Sequence, residues 1–78
     1  MLRKQVVMET MLVELEAEIV ELEETIPDPT TRDRLLGMPK KLFTEAREYH
    51  RKGNVQETRL TLNSAYRLVE RAKRELKK

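Results

Sequence analysis

The chain has no cysteine, no tryptophan and a single histidine, His50. Without cysteine there is no disulfide framework, no thiolate nucleophile and no cysteine zinc site. Two glycines, three prolines and 4% aromatics are too few for the many turns and short strands of a β-sandwich or barrel. No apolar run approaches the roughly 18 residues that a spanning helix needs. The start, Arg3-Lys4 before Val6-Val7-Met8, has the outline of a secretory signal. Glu9, Thr10 and the glutamates from Glu14 onward interrupt it, so the expectation is a soluble cytoplasmic protein.

What is present is apolar and charged residues in equal share, 38% each, in 78 residues. A chain this short buries only about 60–65% of its unfolded surface, so its core is marginal. The apolar residues are helically spaced. Met8, Leu12, Leu15, Ile19, Leu22 and Ile26 step by 4, 3, 4, 3, 4, a heptad seam that predicts a helix over 2–26. Val6, Val13 and Val20, seven apart with Ala17 beside them, form a second stripe on the opposite face. A helix apolar on two sides has two partners.

Pro27 and Pro29 end that helix, with Asp28 as an N-cap and Pro29 at a first helical position. Residues 27–38 read as a connector, with a short helical turn over 29–36 closed by Gly37. From Pro39 the pattern predicts an antiparallel helical hairpin over 39–76. Its first helix carries Leu42, Phe43, Ala46, Tyr49 and His50 on one face. Gly53 suits a left-handed cap, and Asn54 with Glu57 has capping-box spacing. The last helix steps through Val55, Thr58, Leu62, Ala65, Val69, Ala72 and Leu76, with Leu60, Tyr66 and Leu68 widening the face. The expected fold is all-α: a long N-terminal helix packed on a C-terminal antiparallel hairpin, a three-helix bundle in one domain.

Within the hairpin, Tyr49, Gly53, Thr58, Leu62 and Ala65 have the offsets of the second half of a tetratricopeptide repeat, which this segment resembles. Leu42 and Ala46 are similar to the large and small residues of that repeat's first helix. The sequence departs at Glu45, where leucine is usual, and at Glu70, where proline is usual. The resemblance covers about residues 42–71 without a second copy, so it implies one hairpin and no repeat array. The segment Lys40 to Arg71 also resembles a small archaeal family of unknown function with one longer helix before a helical hairpin. Arg67 stands where that family has a small residue. That resemblance implies no activity.

The net charge of +2 conceals segregation. Residues 1–29 hold two basic and eight acidic side chains, a sum of −6; residues 30–78 hold fourteen and six, a sum of +8. Arg67, Arg71, Arg74 and Lys78 make one stripe on the last helix; Glu14, Glu18 and Glu21 make another on the first. In an up-down-up bundle those helices run parallel, and the expectation is that the acidic end at Glu21–Glu24 pairs with the basic end at Arg71–Lys78.

Catalytic chemistry has no residue set. His50 lacks an orienting partner and a second metal-ligand histidine, and solvation or a cap-adjacent role is the expected one. The glutamate pairs Glu14/Glu18 and Glu45/Glu48 lie along helix faces without the Glu-x-x-His motif of a di-metal bundle. No phosphate-binding loop or nucleophile elbow is present. No cofactor or metal is expected. The favoured function is a non-enzymatic interaction module, self-associating as a homodimer or binding a protein partner through Val6, Val13, Ala17 and Val20. On this reading a first helix of about 37 Å outreaches a second of about 21 Å and is left partly uncovered. The alternative is an accessory nucleic-acid binder using Arg67, Arg71, Arg74 and Lys78. Phe43, Tyr49 and Tyr66 fall on apolar faces and read as core rather than base-stacking platforms, which counts against it.

Overall fold

The computed structural model describes residues 2–77, with side chains from residue 7 onward. It is all-α, with three helices: α1 (Leu2–Thr25), α2 (Pro29–Arg51) and α3 (Val55–Leu76). They pack as a rod of 41 × 17 × 16 Å, in which every helix touches both others.

The expected seam of α1 is its buried face. Met8, Leu12, Leu15, Ile19, Leu22 and Ile26 are all buried, and all but Met8 join Leu36, Ala46, Leu62, Ala65 and Val69 in one core. Thr58 is buried too, and its hydroxyl donates to the Asn54 carbonyl at 2.7 Å, which satisfies it inside the helix. Leu60 does not widen this face: it is 49% exposed. At 100° per residue it stands on the far side of α3 from Leu62 and Ala65. Tyr66 and Leu68 are half-buried, as expected.

The connector over 27–38 and the separate helix from residue 39 are corrected by the structure. Helix α2 starts at Pro29 and runs unbroken for 23 residues, through Gly37 and Pro39. Asp28 is its N-cap, accepting from the Thr31 backbone N–H at 3.1 Å and from the Thr31 hydroxyl at 2.7 Å. Glycine inside a helix costs about 1 kcal/mol and proline about 3. What offsets them is packing. Leu36, Pro39, Phe43, Ala46 and His50 step by 3, 4, 3, 4 along the inner side of α2, and Leu36, Pro39 and Ala46 are buried. The seam passes straight through the two residues that read locally as breakers.

At the other end, Gly53 adopts φ +78°, the left-handed conformation that glycine takes without a Cβ penalty. Its N–H donates to the His50 carbonyl at 3.0 Å, and the Asn54 N–H donates to Tyr49 at 2.9 Å. These two bonds make a Schellman closure. Asn54 then caps α3 by accepting from the Glu57 N–H at 3.3 Å. The hairpin is thereby fixed by local chemistry at the turn.

Candidate functional site

Because α2 is continuous, the helices have 24, 23 and 22 residues. At about 1.5 Å per residue they are nearly equal in length, so no shortfall of one helix leaves another uncovered. The outer face of α1 is nevertheless open. Val13 is 66% exposed, Val20 is 45% exposed and Ala17 is exposed between them. The reason is angular: at 100° per residue these positions lie more than 100° from the centre of the buried seam, beyond the reach of α2 and α3. The side chain of Val6 lies outside the described residues.

Acidic side chains border this row. Glu9 and Glu23, on the α2 side, are paired: the Glu9 carboxylate is 3.6 Å from His50 Nε2, and Glu23 meets Lys40. Glu14, Glu16, Glu21 and Glu24 have no cationic partner among the described residues, so the face is apolar down its middle and anionic along its margins.

Glu21–Glu24 form no pair with the basic end Arg71–Lys78 among the described residues. The pair there that joins α1 to α3 is Glu18, from the acidic stripe, with Lys73, which lies within that basic end but off the stripe of Arg67, Arg71 and Arg74. Lys73 adjoins the buried stripe of α3, beside Val69 and Ala72, where a side chain can reach the next helix. The hydrogen bond to Glu18 holds the Lys73 ammonium pKa above its usual value. Arg67, Arg71 and Arg74 stand on the opposite side of α3 and form no ion pair among the described residues; Lys78 lies outside them. The signal that singles out Lys73 is its position at the edge of the seam, seven residues after Tyr66.

Tyr66 makes the second tie to α1. Its hydroxyl donates to the Met11 carbonyl at 2.7 Å. Burial, and then the nearby charges of Glu14 and Glu18, push its pKa above the usual tyrosine value. The Tyr66 hydroxyl is thus committed to the α1 interface, while its half-buried ring also borders the groove lined by Arg67, Arg71 and Arg74.

His50, half-buried on α2, faces Glu9 and no second histidine. No group of three or more His, Cys, Asp or Glu side chains among the described residues converges as a metal site. The concavity between the N-terminal half of α2 and the C-terminal half of α3 measures about 210 Å³. Arg34, Met38, Leu68 and Arg71 are among its walls, and the Arg34–Glu75 pair at 3.2 Å lies in it. No helix among the described residues is long and apolar enough to cross a membrane. No family model, curated protein or solved structure matches the chain.

Proposed function

We propose that this chain is a small cytoplasmic, non-enzymatic interaction module whose binding surface is the outer face of α1. The observation that carries the reading is the row Val13, Ala17 and Val20, exposed although α1 already buries a complete seam on its other side. An apolar row on a domain this small is dewetted at low cost by a second helix. The bordering carboxylates keep the face hydrated until then. The test is a photoreactive side chain at Ala17 in cells, with Glu45 on the exposed side of α2 as the control position. Discrete protein adducts, with self or another chain, at position 17 alone support the reading. Equal, diffuse labelling at both positions rejects it.

A second reading has one observation behind it. Arg67, Arg71 and Arg74 line a shallow groove on α3 and lack carboxylate partners among the described residues, so they are available to phosphates. Labelled duplex and single-stranded oligonucleotides at low salt decide it, and no change in anisotropy there removes it.

A further inference from the structure

Two outward stripes remain without partners inside the molecule, and their spacing matches. On α1, Val13, Ala17, Val20 and Glu24 step by 4, 3, 4. On α3, Leu60, Ser64, Arg67, Arg71 and Arg74 step by 4, 3, 4, 3. Each is a heptad seam turned to solvent. We infer that copies of this chain associate head to tail, the outer α1 seam of one copy seated on the arginine stripe of α3 in the next. The inference rests on the reading of α1 as a binding surface, and names its occupant as a second copy.

Charge selects this arrangement over a face-to-face dimer. Two α1 seams placed together would set Glu14, Glu16 and Glu21 of one copy against the same residues of the other, with repulsion on both margins. Against α3 the same carboxylates meet arginines. The seam of valine and alanine is shallow enough for arginine stems to lie across it, and the guanidinium heads then reach the flanking glutamates. Within one molecule the two stripes cannot meet, because both point away from the core. The segregation of charge is thus only partly used by the monomer: Lys73 and Lys40 answer Glu18 and Glu23, and most of the other α1 carboxylates are left for a neighbour.

Such a contact is heterologous, so each copy keeps one free face of each kind, and growth passes beyond two unless a ring closes. A single helix-on-helix contact lies at the small, transient end of protein interfaces, and its ion pairs are screened by salt.

The test uses two variants of the full chain at solvent-exposed positions. One carries Val13→Lys with Ala17→Lys, which spoils the α1 seam. The other carries Arg67→Ala, Arg71→Ala and Arg74→Ala, which removes the stripe. Circular dichroism melts that match the parent establish that both fold. In sedimentation at low salt the parent forms species larger than a dimer that dissociate at high salt. Each variant alone is monomeric. Their equimolar mixture forms a one-to-one heterodimer and stops there, since only one good face of each kind remains. A parent that stays monomeric at several hundred micromolar overturns the inference. So does association that the lysine variant loses and the alanine variant keeps; that result indicates a face-to-face dimer and leaves the reading of α1 standing. An alanine variant that loses oligonucleotide binding but still self-associates assigns the stripe to nucleic acid and likewise overturns it.

Discussion

The Tyr66 hydroxyl donates to the Met11 carbonyl at 2.7 Å, across 55 residues of sequence, and Lys73 meets Glu18 across the same 55. The two ties are one heptad apart on both helices, so together they set the parallel register of α1 on α3. Met11 lies inside α1, where its carbonyl also accepts within the helix. The Tyr66 bond is an addition to a satisfied acceptor. Tyr66→Phe is therefore expected to cost about 0.5–1 kcal/mol, near the low end for a net hydrogen bond. Urea unfolding measures it; no change in midpoint would mean that the register is held by the apolar seam alone.

The same pair shapes the alkaline limb of stability. Both folded-state pKa values lie above their usual ones, 10.0 for Tyr66 and 10.5 for Lys73. Native protein holds these protons more tightly than unfolded protein does. The associated stability is complete below those usual values and is lost as pH rises through the folded ones. Tyr66→Phe flattens that limb, read by chemical unfolding across pH 9–11.5 at fixed ionic strength, roughly the range of tyrosine and lysine titration.

At the acid end the group to watch is Asp28. Its hydrogen bonds, first from the Thr31 hydroxyl and then from the Thr31 backbone, hold its pKa below the usual 3.8. Here the unfolded state binds the proton more readily. The contribution of Asp28 is present above pH 3.8 and disappears as pH falls through the lower folded value. Asp28→Asn keeps an N-cap acceptor and removes the titration, so its loss of stability on acidification is shallower than the parent's. Identical acid limbs would exclude the cap as a contributor.

The two glycines answer substitution with opposite signs. Gly37 is helical, and a Cβ added there meets nothing within 4 Å. Gly37→Ala therefore stabilises by about 0.5–1 kcal/mol. Gly53→Ala forces φ +78° on a residue with a Cβ and costs about 1–2 kcal/mol. Thermal melts of the two variants separate in opposite directions from the parent.

Leu36 tests whether the N-terminal half of α2 belongs to the core. It is 1% exposed. Leu36→Ala is expected to cost about 2–5 kcal/mol. That is a large share of the roughly 4–12 kcal/mol available to a chain of this size. A loss below 1 kcal/mol would return residues 29–38 to the status of a connector.

Most of the fold is written in the seam of α1, in the caps Asp28 and Asn54, and in Gly53, because each is a local pattern with a local physical meaning. Helix α2 is not legible in that way. Gly37 and Pro39 signal a break within their own few residues, and only the company of Leu36 and Ala46 against the other two helices outweighs it. The open face of α1 was readable from Val13 and Val20, but for the wrong reason: helix rotation leaves it exposed, not a short neighbour. The ion pairs escaped for a related cause. Arg67, Arg71 and Arg74 form the most regular cationic stripe in the sequence, yet regularity places them together on the side of α3 away from α1. Lys73 stands outside that stripe, at the edge where contact occurs.

The 55-residue offset also has a consequence for synthesis. A ribosome adding about 5–20 residues per second completes α1 several seconds before the α3 residues that bind it exist. Until α2 has been made the six apolar side chains from Met8 to Ile26 have no partner helix, and until α3 follows they are covered on one side only. The glutamates on the remaining sides of α1 give the waiting helix a strongly negative surface, and like charge on nascent chains opposes their association. The acidity of the first helix then serves the chain before it is folded as well as after.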